Sequence, residues 1–70
     1  MAISARNVFK GKIVSVDTGP IMAHVKVDIG NGNVLSALIS AESVKSLGLS
    51  VGSEASAVIK ATDVMISTDV

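Results

Sequence analysis

The sequence predicts an all-β fold, a small five-stranded OB-like barrel with one short helix between the third and fourth strands. Apolar and polar residues alternate without a break over residues 21–29, which is typical of a strand with one buried face. Turn signals rich in Gly, Pro and Asn separate the apolar segments, and only one stretch carries helix signals. We expect a closed barrel, because open sheet edges in a chain with 49% hydrophobic residues would promote aggregation.

The first two strands are predicted on either side of a proline turn. Residues 9–17 are rich in β-forming side chains, and we expect this strand to curve near Gly11. It ends at residues 18–20, where Pro20 prevents a helix from continuing. The second strand is expected to direct one set of side chains inward and the other outward: Ile21, Ala23, Val25, Val27 and Ile29 on one face, and Met22, His24, Lys26 and Asp28 on the other.

The remaining elements follow from turn and cap residues. Residues 30–33, Gly-Asn-Gly-Asn, tolerate positive φ and predict a hairpin that leads into a third strand over residues 34–39. Ser40 can cap a short helix, and Gly48 is expected to end it. Inside it, Glu42 suits the first turn, and Val44 and Leu47 share a face. Residues 54–59 and 62–66 then predict two more strands, separated by Lys60 and Ala61.

The length of the chain indicates one domain, residues 1–70, that needs partners. A chain of 70 residues buries little surface in its own core and usually requires disulfides, a metal or oligomerisation. It has no cysteine and only one histidine, His24, so a disulfide framework and a structural zinc site are excluded. Oligomerisation of the chain with itself is therefore expected.

Composition also argues against several classes of function. The net charge is zero and Phe9 is the single aromatic residue, whereas nucleic-acid-binding barrels use basic grooves and aromatic stacking. No apolar run approaches the roughly 20 residues of a membrane span. The N-terminus carries no secretory signal pattern, so a cytoplasmic location is the default expectation. No Ser/His/Asp or Cys/His set and no phosphate-binding loop is present, which argues against an enzyme.

Hydrogen-bond donors at both ends of the chain predict an anion site. In an extended segment Ser4 and Arg6 project from the same side and offer a hydroxyl and a guanidinium to one oxyanion. Lys60 adds a second cation, and the small Ala61 lets a ligand oxygen approach the backbone. Ser40 and Ser43 at the helix start provide hydroxyls together with free amides. These five side chains would form a shell for a tetrahedral dianion.

Each of these residues also has a simpler interpretation. Ser40 can be only a helix cap, and Arg6 only a solvated terminal charge. Lys60 can be an edge-strand lysine that discourages sheet-to-sheet pairing. Likewise, Met22 and Met65 are more simply packing groups, and His24 a surface or interface residue. Taken without any resemblance, the residues indicate a small β-barrel that oligomerises and has an anion site as a hypothesis.

Four segments spread over nearly the whole chain match the pattern of a known family. They are ISARN (3–7), ISAESV (39–44), GSE (52–54) and VIKATDVMI (58–66). Together they resemble the molbindins, free-standing Mop domains of TOBE type that bind molybdate. The resemblance implies an OB-type barrel, a homohexamer built as a trimer of dimers, and molybdate or tungstate bound at subunit interfaces with no organic cofactor.

The resemblance also implies a division of the site between two subunits. Ser4, Arg6, Lys60 and the backbone around Ala5 and Ala61 would come from one subunit. Ser40 and Ser43 would come from its neighbour. A second class of site, on three-fold axes, would lie near Met22, Ala23 and His24.

The sequence departs from the family pattern in two places. Val8 and Phe9 stand where members often have a polar residue and Leu, and Ala61 stands where some have Ser. A backbone amide is expected to replace the missing hydroxyl at position 61. The function implied is reversible binding, storage and homeostasis of the oxyanion inside the cell, without chemistry. The alternative from another class is a structural or protein-interaction barrel, and an oligonucleotide-binding barrel ranks third.

Overall fold

The chain folds into a four-stranded antiparallel sheet with one α-helix, in a computed structural model that describes residues 4–69. The strands run in the spatial order β3-β2-β1-β4. In chain order the elements are β1 (Asn7–Thr18), β2 (Met22–Gly30), β3 (Asn33–Ser40), α1 (Ala41–Leu47), β4 (Glu54–Ile59) and a short 3-10 turn (Ala61–Asp63).

Strand β1 is shared between two neighbours. Its first half pairs with β4, from Asn7 opposite Ile59 to Lys12 opposite Glu54. Its second half pairs with β2, and the register shifts between Ile13 and Ser15, which marks a bulge. The Ile13 amide donates to the Ser53 carbonyl at 2.8 Å, and the Ile13 carbonyl accepts from the Gly52 amide at 2.8 Å. The irregularity of β1 therefore lies around Val14, three residues beyond the curvature expected near Gly11.

The predicted hairpin of β2 and β3 is confirmed. Asn31 and Gly32 form its turn with φ of 55° and 78°, and the Gly30 amide donates to Asp28 Oδ1 at 2.8 Å. Ala23, Val25 and Val27 are buried, as the alternation predicts. Ile21 is an exception, with 75% of its surface exposed, because β2 begins at Met22 and Ile21 lies in the preceding bend.

The predicted helix is also confirmed. The Ser40 side chain caps its first turn, and Gly48 ends it in the left-handed region, at φ 63°. Val44 packs against the core, whereas Leu47 is 68% exposed. Of the two residues expected to share a face, only Val44 is thus packed inward, because this helix of 7 residues contacts only β2 and β3 closely.

The prediction of a closed, five-stranded barrel is wrong for the single chain. The sheet order leaves β3 and β4 as edges, and the segment expected to form a fifth strand over residues 62–66 has no strand partner among residues 4–69. The Asp63 amide donates to the Lys60 carbonyl at 2.9 Å, so the chain turns out of β4 instead of continuing as a strand. Beyond the turn, Met65 and Ile66 are 92% and 86% exposed. Ile66 is a β-forming residue, but this segment could form a strand only beside another strand with a free edge.

An apolar groove of about 380 Å³ opens beside the core of the sheet. Its floor contains the core residues Ile13, Val25 and Val27. Strand residues from both edges line its sides, among them Leu35, Ala37, Ile39, Ala55, Ala57 and Ile59. Within residues 4–69, no helix is both long and apolar enough to cross a membrane.

Candidate functional site

The fold brings the donor-bearing ends of the chain to one end of the sheet. Asn7 opposite Ile59 is the last residue pair between β1 and β4. Residues 4–6 precede this pair and residues 60 and 61 follow it, so both segments leave the sheet side by side. Ser4, Ala5 and Arg6 thus lead into one strand end, and Lys60 and Ala61 follow the strand end paired with it, although more than 50 positions separate the two segments along the chain. Ile3, the first residue of the ISARN motif, lies outside the described residues.

The two cations at this end are available to a ligand. Arg6 and Lys60 are both exposed, and Arg6 Nη1 donates to the Ser4 carbonyl at 3.3 Å. That bond holds the guanidinium over its own segment and leaves its remaining N–H groups free to donate, since a guanidinium carries five. Among residues 4–69, no group of three or more His, Cys, Asp or Glu could hold a metal ion. The chemistry of this end therefore suits an anion.

The 3-10 turn orients the backbone amide of Ala61. The Lys60 carbonyl accepts from Asp63 inside the turn, at 2.9 Å. Because a trans peptide directs its C=O and N–H to opposite sides, the Ala61 N–H points away from that bond. Ala61 is exposed and has only a methyl side chain, so an oxygen atom can approach this amide closely. A backbone donor at position 61 is thus consistent with the geometry.

The second group of donors lies at the start of α1. Ser40 Oγ accepts from the Ser43 amide at 3.0 Å and lies 2.7 Å from Ser43 Oγ, and both side chains are half-buried. The Ala41 amide donates to the Ile21 carbonyl at 2.7 Å, which anchors the helix start to the bend before β2. Either serine can donate in the contact between the two hydroxyl oxygens, so one of the two hydroxyl hydrogens remains available for donation.

The two donor groups lie at opposite ends of the sheet in one chain. Strand β1 starts beside Ile59 and ends with Thr18 opposite Ala23, and the adjacent Met22 pairs with Ser40. The 12 residues of β1 span up to about 36 Å of chain at the usual rise per residue. A single chain therefore does not assemble the predicted shell of five side chains around one anion.

The residues predicted for a second site lie on β2 near the helix end of the sheet. Met22 is 49% exposed and His24 is half-buried, whereas Ala23 is buried with 1% exposure. His24 stands between Asp17 on β1 and Leu38 on β3. Met22 and His24 face outward, so Ala23 could reach a ligand there only through its backbone.

Sequence reasoning gave no role to Asn7, although the residue belongs to the ISARN motif. Its side-chain Nδ2 donates to the Ile59 carbonyl across the strand pair at 3.2 Å, in a half-buried position. This contact depends on the β1–β4 register. The only signal for this contact in the sequence is that a polar residue stands at the end of an otherwise apolar strand face.

Comparison with known proteins defines the family. The profile of the TOBE domain matches residues 3–66. This chain belongs to the TOBE domain family. The match covers the strands, the helix and both donor groups, and it confirms the family-level resemblance.

Individual proteins resemble the chain over most of its length. A protein from Haemophilus influenzae named "Probable molybdenum-pterin-binding protein" is 55% identical over 69 residues, which are 99% of this chain and 100% of that protein. The structure of a molybdate-binding protein from Sporomusa ovata has a TM-score of 0.90 and 32% identity, covering 97% of this chain and all of that one. The cytoplasmic molybdate-binding protein ModG, in a molybdate-bound form, has a TM-score of 0.82 and 46% identity, covering 87% of this chain and 43% of that one.

Proposed function

We propose that this TOBE-domain protein, acting as one domain over residues 1–70, binds molybdate reversibly at interfaces between copies of itself. The observation that carries the proposal is the separation of the donors into two groups at opposite ends of the sheet. Each group alone would contact an anion from one side only, and a second chain would complete the shell from the other side. The molybdate-binding proteins that share the fold support the choice of anion.

The proposed shell combines charge with directed donors. One chain supplies the Ser4 hydroxyl, the Arg6 guanidinium, the Lys60 ammonium and backbone amides near Ala5 and Ala61. Charge-assisted bonds from the two cations are about twice as strong as neutral ones, and they offset the cost of removing water from a dianion.

A neighbouring chain supplies the hydroxyls of Ser40 and Ser43. These two oxygens already share a short contact of 2.7 Å, in which one hydroxyl donates to the other. The hydroxyl that receives this bond then has its own hydrogen free for the anion. In the free protein, one hydroxyl of the serine pair therefore donates to the other serine, and the second hydroxyl is available to the anion.

The proposed assembly is a homohexamer, a trimer of dimers. The open edges at β3 and β4 and the exposed Met65 and Ile66 support association, because an isolated chain leaves this apolar surface in water. Further exposed apolar side chains, including Leu38 at 73%, lie on the outer face of the sheet. A second class of anion site near Met22, Ala23 and His24 is part of the same proposal.

The proposed activity is binding without chemistry, with storage and homeostasis of the oxyanion as its purpose. Tungstate has the charge and shape of molybdate and is expected to bind as well. Selectivity over sulfate would come from the size of the cavity, since the smaller ion cannot reach all donors at once. The cytoplasm is the proposed location, as for the related ModG.

The second candidate function is an interaction barrel that needs no anion. The apolar groove of about 380 Å³ favours it, because such a groove can receive an apolar segment of another protein. Under this alternative Arg6 and Lys60 would be solvated surface charges.

Isothermal titration with molybdate, tungstate and sulfate tests the proposal. The wild-type protein should release or absorb heat with micromolar molybdate and tungstate, but not with sulfate at the same concentration. A double variant, Arg6→Ala with Lys60→Ala, should keep the wild-type oligomeric state by light scattering and lose the heat of binding. A wild-type protein that assembles without any molybdate heat would support the interaction barrel instead.

A further inference from the structure

Asn7 occupies a position where packing alone would favour an apolar residue. The two-residue period of β1 puts Asn7 on the same face as Phe9, Gly11 and the buried Ile13. Opposite it, β4 presents Ile59, and the same face of β4 continues with Ala57 and Ala55. A polar side chain on such a face carries a cost unless it finds a hydrogen-bond partner.

The partner of Asn7 is the carbonyl at the end of β4. Asn7 Nδ2 donates to the Ile59 oxygen at 3.2 Å, just where the β1–β4 pairing ends. The Ile59 carbonyl and the Lys60 amide belong to the same planar peptide group. Holding the Ile59 oxygen in place therefore also holds the orientation of the peptide group through which the chain continues to Lys60.

Repulsion between two positive charges favours separation of β1 from β4 at this end of the sheet. If the strand pairing extended by one step, Arg6 would stand directly opposite Lys60. Like charges opposite each other destabilise a strand pair, so in the absence of an anion the two segments repel. The Asn7 bond acts against that repulsion because it ties β4 to β1 at the preceding pair.

We propose that Asn7 is a positioning residue for the anion site: its bond to Ile59 holds Arg6 and Lys60 side by side before the anion arrives. This inference rests on the proposed molybdate binding. Preorganising donors in their bound arrangement improves affinity by lowering the ordering cost of binding. Asn7 itself need not touch the anion.

The test compares molybdate affinity with stability in two Asn7 variants. Asn7→Ala removes the donor, and Asn7→Val also supplies a β-branched apolar side chain that suits the strand and the apolar face. Both should raise the Kd for molybdate about five- to tenfold, the effect of losing one hydrogen bond. Asn7→Val should do so with an unchanged or higher Tm, which a merely structural role for Asn7 does not predict.

Val8→Ala is the matched control. Val8 pairs with Val58 at the adjacent position, so its truncation weakens the same strand pair without removing the bond to Ile59. Its Kd should stay within about twofold of the wild type, since no hydrogen bond is lost. Amide hydrogen exchange adds a direct signature: the Asp63 amide, which donates to the Lys60 carbonyl, should exchange faster in free Asn7→Val, while the amide of Val25 in the core should not.

The outcomes separate the two proposals. If the wild-type protein binds molybdate and both Asn7 variants bind it equally well, the positioning role is wrong and the proposed function stands. If the wild-type protein shows no molybdate binding, the proposed function is overturned together with the role of Asn7. Loss of affinity in Asn7→Val with retained Tm supports the positioning role.

Discussion

Gly11 on β1 passes so close to Asp28 on β2 that a Cβ at position 11 would lie 2.5 Å from the Asp28 carbonyl oxygen. The same Cβ would lie 2.8 Å from Val27 Cγ1. Both atoms belong to the central strand pair, and the nearer one is backbone and cannot rotate away. The close approach lies where β1 passes from pairing with β4 to pairing with β2. Gly11 therefore allows β1 to pair with both neighbouring strands.

The first prediction is that Gly11→Ala destabilises the fold strongly. Overpacking that forces a backbone shift costs about 1–3 kcal/mol, and we expect the upper part of that range. Gly48→Ala is the matched control, because Gly48 has φ 63° and no atom within 4 Å of a Cβ. It should cost about 1 kcal/mol, the strain of a left-handed residue. Urea unfolding at a fixed protein concentration measures both, and a larger loss for Gly48→Ala would contradict this account.

The second prediction concerns the cap of α1. Ser40→Ala removes the acceptor of the Ser43 amide and should lower the free energy of unfolding by about 1 kcal/mol. Ser43→Ala keeps that amide bond and should cost clearly less. Denaturant titration separates them. Equal losses would mean that the hydroxyl pair, rather than the amide cap, stabilises the helix start.

The third prediction concerns the two cations. Arg6→Ala and Lys60→Ala should each weaken molybdate binding about 10- to 100-fold, the range for hydrogen bonds to charged groups. Lys45→Ala is the control, because Lys45 lies in the last turn of α1 and belongs to neither donor group. It should leave the Kd nearly unchanged by titration calorimetry. An equal effect of Lys45→Ala would indicate attraction by general charge rather than a site.

The fourth prediction concerns the exposed end of the chain. Met65→Lys and Ile66→Lys should shift the protein toward smaller species in sedimentation experiments, because the proposed assembly covers these apolar side chains. Ser67→Lys adds the same charge at an exposed polar position and should not change the distribution. Unchanged assembly in all three variants would show that this segment stays outside the interfaces.

Local structure could be predicted well from this sequence. The hairpin turn at Asn31 and Gly32 needs positive φ, and those residue types allow it. Ser40 and Gly48 bound the helix as their capping preferences predict. The strand over Glu54–Ile59 was also predicted with the bounds that the structure has.

Long-range features could not be predicted in the same way. The segment over residues 62–66 has the composition of a strand, yet it has no strand partner in the part of the chain that the structure describes. The composition of a segment shows whether its side chains suit a β-sheet. To form a strand, the segment also needs an existing strand with a free edge beside it. Likewise, the Asn7 bond to Ile59 depends on a register between residues 52 positions apart.

The sequence by itself determined the turns, the helix and the types of donor, because backbone preferences and caps act within a few neighbouring residues. Only the tertiary structure decided which donors meet. The β1–β4 register ends at Asn7 and Ile59, the residues next to Arg6 and Lys60, and leaves Ser40 and Ser43 at the far end of the sheet. Register and open edges are set by contacts between distant parts of the chain, where one residue of slip would turn every side chain to the other face.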